Sequence, residues 1–128
     1  MVSELITVYG ETDGSSTSGT FSLNSPLFHS PVTEIRIPKG MKAKIWCKRI
    51  SGEAVTVLLR MTRDITASSP TWITIDVQVL PSKGELELEK RRPIIIEGIT
   101  GKEAIRLEWS QTTAGKSYIA YELEITDE

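Results

Sequence analysis

Apolar and polar residues alternate along most of the chain with a period of two, which is the period of a β-strand with one buried face. One such run carries Ile73, Ile75, Val77 and Val79 on one face and Thr74, Asp76 and Gln78 on the other. The other clear runs cover residues 42–48, 55–61, 105–109 and 119–125. Ile, Val and Thr supply 36 of the 128 residues, which favours strands over helices.

Proline and glycine fall between these runs or at their ends, for example in the segments 38–40, 81–84 and 98–101. Short runs separated by short turns predict about eight to ten strands. The expected fold is all-β: one antiparallel β-sandwich domain over residues 1–128, of jelly-roll type. Residues 10–31 are rich in Ser, Thr and Gly, and we expect them to form a long polar connection.

The composition excludes several classes of site. The chain has one cysteine, Cys47, and one histidine, His29, so an intramolecular disulfide, a cysteine-rich zinc site and a histidine cluster are all excluded. Only three side-chain amides occur, at Asn24, Gln78 and Gln111, among abundant Glu, Lys and Arg. Few amides with many charges are typical of proteins adapted to heat.

The N-terminus carries Glu4 and no basic run before an apolar stretch, so we expect no secretory signal. The longest apolar runs are a few residues, far short of the roughly 20 needed to span a bilayer. We therefore expect a soluble protein located in a cytoplasm or in a virion, and no membrane partner.

The net charge of −2 conceals a strong segregation of charge along the chain. Residues 1–35 carry −4, residues 36–63 carry +7, and residues 64–128 carry −5. The candidate partner or polyanion surface is drawn from the basic middle: Arg36, Lys42, Lys44, Trp46, Lys48 and Arg60. Four of these share one face of one predicted strand, as single-stranded nucleic acid would require, with lysines for phosphates and Trp46 for stacking.

Two other interpretations of this face remain open. The lysines can pair with outward rows of glutamate on neighbouring strands, and Trp46 can contact another protein. The acidic rows available for such pairing include Glu85, Glu87, Glu122 and Glu124.

Catalysis finds little support in the sequence, and we predict a protein that is not an enzyme. His29 lies in a proline-flanked loop, and the alternation places Cys47 in the core, where a thiol is unreactive. No phosphate loop, hydrolase elbow or calcium loop is present, so we expect no cofactor and no metal.

Three functions are consistent with these features. The first is a non-enzymatic structural or interaction protein that self-associates as a homo-oligomer, for instance in a particle of a thermophile or its virus. The second is a polyanion or single-stranded nucleic-acid binding module that uses the Lys/Trp face, although no motif supports it. The third is a glycan-binding module that uses exposed tryptophans, although three amides offer little for recognising sugars.

Overall fold

The structure is a computed structural model that describes residues 3–89 and 93–127, and all regular elements in these ranges are strands. Each strand pairs antiparallel with its neighbours. The strands are β1 (Ser3–Glu11), β2 (Ser18–Thr20), β3 (Ile35–Arg36), β4 (Lys42–Gly52), β5 (Val55–Thr62), β6 (Ile73–Leu80), β7 (Gly84–Glu87), β8 (Ile94–Glu97), β9 (Ala104–Ser110) and β10 (Ser117–Thr126).

The strands form two sheets that pack face to face. Sheet A has the order β1-β10-β4, with β7 and β8 pairing one after the other along the far side of β4. Sheet B has the order β9-β5-β6, with β2 and β3 pairing along the far side of β9. When β2 with β3 and β7 with β8 are each counted as one position, eight positions remain, and they have the connectivity of a jelly roll. The predicted antiparallel sandwich is therefore confirmed.

The core lies between the sheets and is built from the inward rows of their strands. On β4 the inward residues are Ala43, Ile45 and Cys47, as the alternation predicts. Trp109 of β9 is buried against Phe21, with ring centroids 5.1 Å apart. Tyr121 of β10 is almost fully buried, and this burial raises the pKa of its phenol well above the usual value.

The segment 10–31 differs from the long polar connection that its composition predicts. It contains the end of β1 and the edge strand β2, and Phe21 and Leu23 belong to the core. At its polar centre, Asp13 accepts hydrogen bonds from two backbone amides, which lower the pKa of its carboxyl to about 2. The segment therefore packs against the sandwich through Phe21 and Leu23, two large apolar residues at alternate positions.

The loop before β9 is organised by a buried carboxylate. Glu103 accepts hydrogen bonds from the backbone amides of Ile99, Thr100 and Gly101 at 3.1–3.2 Å, and from the Thr100 hydroxyl at 3.2 Å. Burial opposes ionisation of this side chain, but the hydrogen bonds outweigh it and hold the pKa of Glu103 below its usual value.

A β-bulge changes the face on which the side chains of β6 lie. Leu59 of β5 is opposite Asp76 and Arg60 is opposite Thr74, so Ile75 is an extra residue without a partner on β5. Beyond this bulge, Asp76 and Gln78 face the interior, whereas Val77 and Val79 face outward. The interpretation of residues 73–79 as a single apolar row on one face is therefore wrong.

A second bulge lies in β4. Tyr121 is opposite Cys47 and Ala120 is opposite Arg49, so Lys48 is the extra residue. Two adjacent cations, Lys48 and Arg49, are consequently exposed on the outer face of sheet A.

Candidate functional site

The outer face of sheet A carries the basic stripe predicted from the sequence, and its lysines are paired. The Nζ atoms of Lys42, Lys44 and Lys48 lie 4.0, 3.9 and 3.1 Å from carboxylate oxygens of Glu97, Glu124 and Glu122. The structure thus forms the charge ladder that the sequence left as one interpretation. These pairs are partly or largely exposed, so each contributes only tenths of a kcal/mol up to about 1 kcal/mol.

Trp46 lies on the same face, opposite Glu122 in the register of β4 and β10, and it is half-buried. Its outward direction is the one that the alternation predicts. Whether it contacts a partner remains a prediction.

The six candidate residues do not form one surface. Lys42, Lys44, Trp46 and Lys48 lie on sheet A, whereas Arg36 and Arg60 belong to strands of sheet B. The exposed guanidinium of Arg36 donates to the Gly101 carbonyl at 2.9 Å, which fixes it to a neighbouring loop.

Arg60 belongs to a charged cluster on the outer face of sheet B. It lies directly opposite Arg106 of β9, and Glu108 lies within 3.3 Å of the first and 2.6 Å of the second. Arg106 also stacks on Trp72, with its guanidinium carbon 4.0 Å from the ring centroid. The carboxylate of Glu108 therefore bridges the two arginines. It neutralises one of their charges, so the cluster keeps one positive charge.

A groove of about 510 Å³ crosses the outer face of sheet A at the β4 bulge. Its lining includes Ala120, the exposed rings of Tyr9 and Tyr118, and the bulge cations Lys48 and Arg49. Tyr9 is opposite Ala120 in the register of β1 and β10, so a small side chain lies between larger ones. The groove combines aromatic surface with charged groups, and it was not predicted from the sequence.

The outer face of sheet B carries an apolar row beside the last strand. Val77 and Val79 of β6 are each 47% exposed, and Leu58 of β5, opposite Val77, is half-buried. Two inward residues of the same strand, Asp76 and Gln78, are polar, and they line an opening of about 450 Å³ between the sheets. This is the reverse of the usual arrangement for a strand of a sandwich.

The same strand is also a free edge. β6 is the last strand of sheet B, and no backbone hydrogen bond joins its outer side to any residue in 3–89 or 93–127. The opposite edge of the molecule, β1, is partly covered, since Tyr9 and Asn24 exchange two backbone hydrogen bonds of 2.8 Å. A row of free N–H and C=O groups beside exposed valines is a template for pairing with another chain.

The residues considered for catalysis lie apart from these surfaces. His29 is exposed in a loop, and Cys47 is buried, with the pKa of its thiol raised to about 11 chiefly by that burial. Across residues 3–89 and 93–127, no group of three or more His, Cys, Asp or Glu side chains is arranged to hold a metal ion. The described part of the chain also lacks a helix long and apolar enough to cross a membrane.

Comparison by sequence finds no matching protein family and no matching relative among curated proteins. Comparison by structure finds a chain of the Bacillus endospore appendages, described as disulfide-linked pili, at 7% identity and TM-score 0.46, covering 99% of this chain and 88% of that one. It also finds a mutant VP2 protein of infectious bursal disease virus in derived T=1 particles, at 11% identity and TM-score 0.38, covering 97% and 31% respectively. These likenesses are too distant to carry functional meaning for this chain.

Proposed function

We propose that this protein is a non-enzymatic structural subunit that self-associates, as part of a particle or similar assembly of a thermophile or its virus. The observation that carries the proposal is the outward apolar row of Val77 and Val79 on the free edge of β6.

The β6 bulge makes this arrangement costly for an isolated subunit. It leaves two valines 47% exposed, so that burying the rest of each side chain would stabilise the protein by about 1 kcal/mol, and it turns Asp76 and Gln78 toward the interior. A shift of the strand by one residue would bury the valines instead. A contact that covers the valines recovers this energy, and a second copy of the chain provides such a contact in any assembly of identical subunits.

The source in a thermophile is supported by the surface and the composition together. The outer face of sheet A carries a ladder of ion pairs, and sheet B carries the arginine–glutamate cluster. Networks of this kind stabilise proteins more at high temperature, because the cost of removing charges from water falls as temperature rises. Three amides in 128 residues also limit chemical damage by heat.

Sedimentation velocity from about 1 µM to about 1 mM tests self-association, because this range covers the dissociation constants of weak and moderate contacts. We expect the sedimentation coefficient to rise with concentration, and electron microscopy of the concentrated sample to show assemblies. A strict monomer over the whole range, both at 25 °C and near the unfolding temperature, would overturn the proposal.

The groove on sheet A favours a second candidate function, the binding of a glycan. Tyr9 and Tyr118 expose aromatic rings of the kind that stack on sugars, and Lys48 and Arg49 supply hydrogen-bond donors beside them. A glycan array followed by titration calorimetry tests it, with the Tyr9→Ala and Tyr118→Ala variants expected to lose the signal. An array without signal above background removes this candidate.

Polyanion binding through the basic stripe receives less support. The three lysines of the stripe each lie within 4.0 Å of a glutamate, so the local potential that would attract phosphates is largely cancelled. Single-stranded oligonucleotides at low salt provide the test, and a shift in their mobility would restore this function as a candidate.

A further inference from the structure

We propose that two copies of the chain pair through their β6 strands, antiparallel and with Val77 on the two-fold axis, so that sheet B continues from one subunit into the other. The inference rests on the proposed self-association and names the surface and the register that would produce it.

The length and accessibility of the edge support this pairing. β6 has eight residues, Ile73–Leu80, and its outer side carries no backbone hydrogen bond to another described residue. It contains neither lysine nor proline; the protective features that it does carry are the bulge at Ile75 and the inward carboxylate of Asp76. A second β6 offers the same free groups, so one surface serves both partners, as two-fold symmetry requires.

The two-fold symmetry restricts the possible registers. Residues directly opposite each other in an antiparallel pair lie on the same face of the sheet. Because Val77 and Val79 face outward in both copies while Asp76 and Gln78 face inward, outward residues must be opposite outward residues. The two-fold axis therefore passes through a residue of β6 and not between two residues, and the central choices are Asp76, Val77 and Gln78.

The three registers differ in the residue that lies opposite the carboxylate of Asp76. An axis at Asp76 places two carboxylates directly opposite each other, which destabilises the pair. An axis at Gln78 places each Asp76 opposite the apolar Leu80, where the carboxylate gains no donor. An axis at Val77 places each Asp76 opposite Gln78 of the other copy, so that a side-chain amide can donate to each carboxylate.

The Val77 register also matches the outer face at the centre of the junction, where residues 76–78 of the two copies pair; beyond it, Val79 lies opposite the bulge residue Ile75. It places the two Val77 side chains directly opposite each other, each beside the Leu58 of its own subunit. The result is a continuous apolar row of four side chains across the junction, in which each Val77 covers part of the exposed surface of the other.

Asp76 gives the junction selectivity. A strand that offers no donor opposite this inward carboxylate would place it beside apolar groups with only the Gln78 amide of its own subunit as a donor, which disfavours pairing. A second copy supplies Gln78 at the required position, so the carboxylate of Asp76 favours pairing with another β6 over pairing with a strand that lacks a donor there. In the single subunit, the Gln78 amide already donates to Asp76 at 3.3 Å, which shows that the two side chains match chemically.

Single cysteines introduced along β6 in a Cys47→Ala background test the register. Opposite Cα atoms of an antiparallel pair lie about 4.5–5.5 Å apart, which is within the range of a disulfide. We expect Val77→Cys to cross-link on mild oxidation at least about tenfold faster than Val79→Cys, whose two copies would lie about 13 Å apart along the strands. Faster cross-linking of Asp76→Cys or Gln78→Cys would overturn the Val77 register.

A second pair of variants tests whether β6 is the surface through which the chain self-associates. Val77→Lys places two like charges opposite each other at an exposed site, and we expect the dissociation constant of self-association to rise about 100-fold or more. Leu5→Lys, at a 60% exposed site on the opposite edge, is the matched control and should leave association unchanged.

The outcomes are distinct. If the wild-type chain is monomeric at every concentration, the proposed function fails. If the wild-type chain associates and Val77→Lys associates equally well, self-association stands and the β6 junction is refuted. If the wild-type chain captures an added foreign strand peptide more tightly than it binds a second copy, the partner assignment is refuted.

Discussion

Replacing Glu103 by glutamine is the most informative test of how the chain stabilises itself. The carboxylate is 2% exposed and accepts hydrogen bonds from three consecutive backbone amides, at Ile99, Thr100 and Gly101. Glutamine has nearly the same shape, but it has one acceptor oxygen instead of two and places an NH₂ donor where an acceptor is needed. The variant therefore removes the charge and part of the hydrogen bonding while the packing is kept.

The expected loss follows from the number of bonds. A hydrogen bond to a charged group contributes about 1.5–3 kcal/mol and a neutral one about 0.5–1.5 kcal/mol, so the change weakens each of the three amide bonds by roughly 1 kcal/mol. Burying a neutral side chain costs less than burying a carboxylate, which offsets part of this loss. We expect Glu103→Gln to lower the free energy of unfolding by about 2 kcal/mol at pH 7.

The sign of the pH dependence follows from the direction of the pKa shift. The pKa of Glu103 is lower in the folded protein than its ordinary value of 4.5, so the unfolded chain binds the proton more tightly. The stabilisation is therefore fully present above about pH 4.5 and is lost as the pH falls through the folded pKa. Because the other carboxylates titrate in both proteins, the difference between wild type and variant isolates this one group.

Urea unfolding of both proteins at several pH values between 7 and about 3 provides the measurement. The wild type should be more stable by about 2 kcal/mol at the upper end, and the two curves should converge at the lower end. A difference below about 0.5 kcal/mol at pH 7, or one that stays constant with pH, would refute the reasoning.

Three further predictions concern other parts of the fold. Glu108→Gln leaves the two arginines of sheet B opposite each other without their carboxylate, and should cost about 1 kcal/mol in urea unfolding, more at low salt; no salt dependence would contradict this. Gly52→Ala should cost about 2–4 kcal/mol, because Gly52 has a φ of 97° and an added Cβ would collide with the Lys116 carbonyl. The control Gly40→Ala, at a φ of 82° with open space around it, should cost about 1 kcal/mol, and equal losses would be evidence against the collision. The Cys47 thiol, with a pKa of about 11, should react with a disulfide reagent at pH 8 only after denaturant is added, and rapid reaction in the native state would show that it is accessible.

The sequence predicts the strands well because their alternation reflects burial against a single core. On β4, the inward set of Ala43, Ile45 and Cys47 follows directly from the period of two. Alternation fails on β6, because the extra residue at Ile75 changes the phase of the strand, and a bulge of this kind depends on the pairing with β5. Nothing in the local sequence of β6 distinguishes its phase before and after this residue.

The features that lie across strands could not be predicted from the sequence, because alternation identifies a face but not its neighbours. The stripe of lysines was visible in the sequence, yet its pairing with Glu122 and Glu124 depends on β10 lying beside β4. The groove depends in the same way on the pairing of β1 with β10, which brings Tyr9 close to Tyr118. The signal for both was present, in the acidic row of residues 122–124 and in the outward tyrosines, but the order of the strands was needed to use it.

The extra residue in β6 makes the exposed valine row depend on the register of the strand as well as on its composition. Removing Ile75 alone would leave every other pair of β5 and β6 in register, so Val77 and Val79 would still face outward. Burying them requires instead that residues 76–80 slip by one position along β5. A one-residue slip of this register would thus create or erase the exposed valine row while every hydrophobic residue around it is kept. In a lineage of such proteins, the step between a solitary subunit and an assembling one would then be a change of register within one strand.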